Sequence, residues 1–287
     1  MIYLDAAATT KPDQRVIDAM MPYFTTKWYN PSSLYNKAVN IKKDIDSARS
    51  IIGEFIGARN DEIFFTSGGS ESNCWAIQGF VNQCFLNKKK PCIITSKIEH
   101  KSILECVRNS SAKSVFIGVD KNGFVNMEEL EYWLSSAKDL NYSTLVSVQF
   151  ASNEIGTIQR IKEIADLAHK YSAIFHTDSV QAFGQLDINV KEFGIDMMTM
   201  SGHKIRAVKG IGCLYIKNGI NIQPLIYGTQ MDSMRGGTEN VPYIMGMAKA
   251  VQLIQKDDEY QLRLTILKNN FIKKLKAIGL NICLDPF

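Results

Sequence analysis

Five short stretches carry residue types that could do chemistry together. The first is Ser201-Gly-His-Lys204, followed by Lys209-Gly-Ile-Gly212. A lysine at a strand end, beside a histidine and a glycine loop, suits covalent amine chemistry on a carbonyl. The amine must first lose a proton, and partial burial near other cations lowers its pKa. Taken alone, Lys204 reads more readily as an ordinary surface lysine. The second stretch is Thr66-Ser-Gly-Gly-Ser-Glu-Ser-Asn73, a strand running through small residues into a helix. Backbone N–H groups and hydroxyls at such a helix start hold a phosphate well. It is not a Walker loop, because GxxxxGK[ST] is lacking. The plainer alternative is a helix capped by Ser70.

The third stretch is His176-Thr-Asp-Ser-Val-Gln181, directly after an apolar strand. A buried carboxylate is costly unless something positive faces it. A protonated pyridine nitrogen would serve, and Asp178 would keep that ring an electron sink. A helix-capping aspartate is the alternative. Glu99-His100 places an imidazole after another strand, where it could stack on a ring and shuttle protons near neutral pH, or serve only in the fold. Asn153-Glu-Ile-Gly156 could orient a ring hydroxyl or form a turn. Each signal is modest, but all fall at strand ends, in the order phosphate loop, ring partner, lysine.

The elements that must position them alternate. Strand-like segments are expected at 62–67, 92–95, 114–119, 145–150, 174–177, 197–200 and 213–216. Helical patterns are expected at 33–56, from Ser70 past Phe80, and near 101–109, 127–137 and 160–171. Strand, helix, strand implies crossover connections and a mainly parallel sheet, which places ligands at the carboxyl ends of its strands. Two long helical patterns follow, Glu239 to Gln255 and Glu259 to Ala277, then an apolar segment from Leu280 to Leu284. The expected division is an N-terminal segment over 1–14, a large domain over 15–255, and a long helix with the start of a small domain over 256–287.

Composition narrows the partners. The chain has 287 residues, 45% hydrophobic and 22% charged, and 33 basic against 29 acidic side chains leave a net charge of +4. That excess is dispersed. The one tight run, Lys88 to Lys90, reads as a solvated loop, so nucleic acid is not expected as a partner. No basic-then-apolar leader opens the sequence, and no apolar stretch approaches membrane-spanning length, so a cytoplasmic protein without membrane contact is expected. The six cysteines show neither CxxC nor metal-ligand spacing and read as reduced thiols.

On the motifs TSGGSESN, IEHKSIL, NEIGTIQ, HTDSVQAFG, SGHKIRAVKGIG and RGGTENVP, the sequence resembles the cysteine desulfurases of the NifS/IscS type. These are fold-type-I, class V aminotransferase-like enzymes that use pyridoxal 5'-phosphate. The resemblance implies an α/β fold: a three-layer large domain around a mainly parallel seven-stranded sheet. It implies that Lys204 binds the cofactor covalently, that Asp178 pairs with the pyridine nitrogen, and that Gln181 contacts the ring hydroxyl. His100 would stack on the ring, and Gly69, Ser70, Ser201 and His203 would hold the phosphate or its surroundings. Thr238 resembles a threonine that reaches the phosphate of a neighbouring subunit, which implies a homodimer. Asn153 and Asn30 resemble residues lining the substrate side.

The implied activity removes sulfur from L-cysteine, leaving alanine and a persulfide for iron–sulfur cluster or thiocofactor assembly, with a sulfur-acceptor protein as partner. Two local departures stand out: Ala207-Val208 replaces a Gly-Pro pair, and Arg206 replaces an aromatic residue or histidine. The family's small domain, with its nucleophilic cysteine loop and carboxylate-binding arginine, is not expected within these residues. None of the cysteines stands at the matching position. A lyase or transaminase of the same fold, and a non-catalytic dimeric scaffold for sulfur-transfer partners, are the other readings.

Overall fold

The computed structural model describes residues 2–255 and 259–280. Seven strands form one sheet: β1 (Ile63–Thr66), β2 (Lys90–Ser96), β3 (Lys113–Ile117), β4 (Tyr142–Ser147), β5 (Ile174–Asp178), β6 (Met197–Ser201) and β7 (Gly212–Ile216), in the spatial order β1-β7-β6-β5-β4-β2-β3. Five neighbours, β3 through β6, pair in parallel, while β7 runs antiparallel between β6 and β1. The central strands read as unbroken apolar runs because both faces are covered. All five residues of β6 and all five of β7 are buried.

The helices are α1 (Gln14–Met20), α2 (Pro22–Thr25), α3 (Asn36–Phe55), α4 (Gly69–Leu86), α5 (Lys101–Arg108), α6 (Met127–Asp139), α7 (Ile161–Lys170), α8 (Val241–Ile254) and α9 (Tyr260–Ala277). From β2 the chain steps outward to β3, then back past β2 to β4 and on to β5. Right-handed crossovers therefore put α5 on one face and α6 and α7 on the other. In keeping with this, α4 packs on α5, and α6 packs on α7. The reversal of direction between β2 and β4 opens a crevice at their carboxyl ends, where such sheets bind ligands.

Because β7 is antiparallel, its first residue lies on the rim where the other strands finish. Gly212 pairs with both Thr66 and Ser201. Only glycine fits there: a Cβ would stand 2.6 Å from the Met200 carbonyl oxygen and 2.8 Å from Cα of Gly68. The turn from β1 into α4 is thus pressed against the lysine loop. The α4 helix is apolar on most of its surface and crosses the sheet, with Trp75 fully buried and donating from Nε1 to the Gln223 carbonyl at 3.0 Å.

The seven-stranded, mainly parallel sheet matches the expectation. The sequence reading did not anticipate the short α1 and α2. The apolar segment Leu280 to Leu284 lies largely outside the described residues, as does Cys283.

Candidate active site

The carboxyl ends of β1, β2, β4, β5 and β6 share one rim, and a cavity of about 460 Å³ opens there. Of the expected site residues, Gly69, Ser70, His100, Asn153, Asp178, Gln181, Ser201, His203 and Lys204 all line it. Asn30 and Thr238 do not. Asn30 is exposed in a turn, where its Oδ1 accepts from the backbone N–H of Ser32 at 2.9 Å. Thr238 is exposed on the loop before α8.

Asp178 ends β5 and is 7% exposed. Its Oδ1 accepts from the Val180 backbone N–H at 3.0 Å, and its Oδ2 accepts from Asn73 Nδ2 at 2.7 Å. Both donors are neutral. Burial pushes its carboxyl above the usual carboxylate range, only partly offset by these bonds and by the charges of His100 and Lys204. A buried acid with neutral donors and an open cavity in front of it is set up for a cationic ligand group.

Lys204 closes the single 3₁₀ turn, Gly202–Lys204, that follows β6. Partial burial holds its amine below the usual lysine range, against the pull of Asp178 and Asp5. Its Nζ donates to the carbonyl of Ala7 and, at 3.0 Å, to that of Ala8. His203 is likewise lowered, by burial and by Lys204 and Lys209. The lowered pKa of Lys204 makes its amine easier to deprotonate, and so more readily a nucleophile or proton acceptor.

The opposite wall is the start of α4. Gly69 and Ser70 bring free backbone N–H groups to the cavity, and buried Ser201 faces them across it. The closeness there is tight, since a Cβ on Gly69 would meet Val180 Cγ2 at 2.8 Å. His100 is the cap of α5. Its Nδ1 accepts from the Ser102 backbone N–H at 3.1 Å, which leaves the proton of the neutral ring on Nε2.

Three contributors went unnoticed in the sequence. Asn73 donates to both Asp178 and, at 2.9 Å, Ser102, so it ties α4 to β5 and α5. Gln149 lines the cavity from the end of β4. The N-terminal residues Asp5, Ala7 and Ala8 cover the lysine. An asparagine one turn into a helix gives no local signal of this role. Nor do backbone carbonyls.

The donors present fit pyridoxal 5'-phosphate. Asp178 answers a protonated ring nitrogen, the α4 start and Ser201 answer a phosphate, and Lys204 answers the aldehyde. Asn73 Oδ1 is buried without a hydrogen-bond partner among the described residues, a polar acceptor left facing this same wall. Among the described residues no group of His, Cys, Asp and Glu could hold a metal ion.

None of the described cysteines lines the cavity. Burial pushes Cys92 up to about 11 and raises Cys84 and Cys213. Cys74 is the exception, lowered to about 7 by a hydrogen bond from Cys106, whose own thiol is raised in turn. A second cavity of about 400 Å³ also touches Lys204, but none of Gly69, Ser70, Asp178 and Ser201 lines it.

Comparison with known proteins fits this geometry. A family model described as aminotransferase class-V matches residues 2–283. Cysteine desulfurase IscS of Clostridium botulinum is 42% identical over 282 residues, which cover 96% of this chain and 69% of that protein. Cysteine desulfurase IscS of Dictyoglomus turgidum is also 42% identical, over 96% of this chain and 69% of its own length. Among solved structures, a NifS-like protein superposes with a TM-score of 0.90 at 32% identity, covering 97% of this chain and 76% of its own. A structure titled SspA in complex with cysteine gives 0.81 at 35% identity, with 88% and 72% covered.

Proposed function

The chain belongs to the aminotransferase class-V family, among its cysteine desulfurases, and from that premise we propose that it draws sulfur from L-cysteine with Lys204 and Asp178 as its working pair. It is an enzyme of the cysteine desulfurase class and takes pyridoxal 5'-phosphate. The observation that carries the assignment of residues is the placing of Lys204 and Asp178 at the ends of adjacent strands, on one cavity whose far wall is a helix start.

When bound, the cofactor supplies an electron sink for bonds at the substrate's α-carbon. The chain's residues do the rest. Asp178 is the anion that holds a cationic ring nitrogen charged. Ser70, Ser201 and the Gly69 N–H anchor the phosphate, with His203 behind them. Gln181 and Asn153 orient the ring side. His100 would stack on the ring, with the proton of its neutral imidazole on Nε2. Lys204 Nζ, with its amine already biased towards neutrality, accepts the α-proton of L-cysteine. Partial burial keeps water from competing for that proton. The substrate sulfur leaves to a thiolate acceptor, which forms a persulfide as the carbon side leaves as alanine.

The same reading makes the protein a homodimer, with exposed Thr238 offered to the neighbouring subunit's phosphate site and Asn30 to the substrate side. It places the work in the cytoplasm, in iron–sulfur cluster or thiocofactor assembly, with a sulfur-acceptor protein as partner. Relatives named IscS and the SspA structure titled with cysteine support the substrate class.

The test is spectroscopic. Purified protein titrated with pyridoxal 5'-phosphate is expected to gain an absorbance band that borohydride fixes to the chain, and Lys204→Ala is expected to lose the covalent attachment. Addition of L-cysteine is expected to perturb the band and, with a thiol acceptor present, to release alanine. A wild-type protein that stays colourless after saturation with the cofactor overturns the assignment.

A further inference from the structure

Glu99 is 5% exposed and takes no part in the roles above, although it sits beside His100 in the loop joining β2 to α5. A buried carboxyl is costly, and an apolar residue would fill the space more cheaply if packing were the purpose. Here both oxygens are used. Oε1 is bonded to Ser96 Oγ at the end of β2, and Oε2 accepts from the Gln149 backbone N–H at 2.8 Å, just past the end of β4. Gln149 returns the contact by donating from Nε2 to the Ile98 carbonyl at 2.9 Å, and the Ile98 N–H donates to Ser96 Oγ at 3.3 Å. These bonds straddle the crevice where the chain reverses between β2 and β4. His100 itself makes only local contacts, to Ser102 through Nδ1. Its position over the cavity is therefore set by the backbone that Glu99 holds.

Resting on the reading above, we propose that Glu99 is a positioning residue: a two-armed clamp between the ends of β2 and β4 that fixes where the His100 imidazole stands over the cofactor ring. Asp178 faces it from the end of β5. Glutamine at this position keeps the bridge, since its amide can donate to Ser96 Oγ and still accept from Gln149. Alanine breaks it.

The experiment uses the full chain and pyridoxal 5'-phosphate as the probe. Wild type, Glu99→Gln, Glu99→Ala, His100→Ala and the double variant Glu99→Ala/His100→Ala are compared by dissociation constant and by the circular dichroism induced in the bound cofactor's band. Glu99→Ala is expected to weaken binding about tenfold, the size of one lost hydrogen bond. It is also expected to lose most of the induced signal. Glu99→Gln is expected to keep both. In the His100→Ala background the Glu99→Ala effect is expected to vanish, because a clamp acting through His100 has nothing left to place. Equal losses in both backgrounds, or no rescue by glutamine, overturn the proposal while leaving wild-type cofactor binding untouched. Should Glu99→Ala not fold, Ser96→Ala removes one arm alone and is read the same way.

Discussion

The floor of the cavity and the N-terminal segment over residues 2–10 meet at the same lysine, but they are held by different means. The floor is made of strand ends. Asp178, Ser201 and Glu99 are all under a tenth exposed; sheet ladders fix the first two, and side-chain bonds to Ser96 and to the Gln149 N–H fix Glu99. Residues 2–8 are exposed, and hydrogen bonds tie the segment to the rest of the chain. Gln181 Nε2 donates to the Ala7 carbonyl at 3.1 Å, Thr10 Oγ1 donates to the His203 carbonyl at 2.7 Å, and His203 Nδ1 lies 3.1 Å from Thr9 Oγ1. Burial gives the floor its electrostatics, because low dielectric and few donors shift the acids. The segment gives Lys204 a resting place: the Ala7 and Ala8 carbonyls hold the amine until an aldehyde competes for it.

If the floor is built for a bound cation rather than for its own stability, neutralising Asp178 should separate the two. Asp178→Asn is expected to cut turnover on the order of 10²-fold, as the ring loses the anion that keeps it charged. The ligand-free protein should melt higher, not lower. The new amide can still accept from Val180, and the Asn73 amide can turn so that its unpartnered Oδ1 accepts from the new side chain. Alanine production and a ligand-free melting curve check the two halves. A fall in both would mean that the floor is ordinary core and would remove the contrast.

Gly212→Ala tests the floor sterically. The added Cβ would press on the Met200 carbonyl and on Gly68, both backbone, so neither can swing aside. A cost of about 1–3 kcal/mol is expected, with the phosphate wall and the lysine loop pushed apart. Thermal melting and cofactor affinity should worsen together, whereas substitutions in the N-terminal segment should lower melting less and leave final affinity nearly unchanged.

These two regions also differ in what the sequence discloses. The strand-end residues are legible because each motif follows a short apolar run, and the parallel alternation puts all such ends on one rim. Strand order is not legible, since local periodicity does not say that β7 inserts antiparallel between β6 and β1. Yet that insertion is what brings Gly212 against the turn after Thr66. The hold on Lys204 comes from main-chain oxygens nearly two hundred residues away, and a carbonyl belongs to every residue alike. Asn73 is hidden for a related reason: its two partners, Asp178 and Ser102, lie on other elements. Asn30 and Thr238 were placed by resemblance, and in the single chain they stand away from the cavity.

The floor's acids should also set how the ligand-free protein responds to pH. Burial pushes Glu99 from 4.5 up to about 8. Between those values the folded state keeps a proton that the unfolded state has lost, so stability is full below about 4.5 and is lost as pH rises towards 8. Asp178 is shifted in the same direction. His176, buried between Ser147 and Thr199, is lowered to about 3, so its contribution is present above 6.5 and lost as pH falls. Above pH 6.5 this histidine is neutral in both states, while Cys74 and Lys204, both lowered in the folded chain, gain stability as pH rises and oppose the acids. The comparison of variants isolates Glu99: between pH 6.5 and 9 the melting temperature of wild type is expected to drop relative to that of Glu99→Gln. Parallel curves would show that Glu99 is already ionised at pH 6.5.

The smallest effect belongs to the segment. Thr10 Oγ1 donates to the His203 carbonyl and accepts from the Arg206 N–H at 2.8 Å, so Thr10→Val removes both bonds at nearly constant volume. The segment is accessible to water, which replaces much of what is lost, and a destabilisation of about 1 kcal/mol is expected. The backbone bond from Thr10 N to the same carbonyl, at 2.9 Å, keeps the chain in place. What should change is the rate at which the cofactor is captured. A looser segment holds Lys204 less firmly against Ala7 and Ala8, so stopped-flow mixing with pyridoxal 5'-phosphate should show faster attachment with little change in final affinity. If attachment slows instead, the segment presents the lysine to the aldehyde rather than sequestering it, and the two regions work as one.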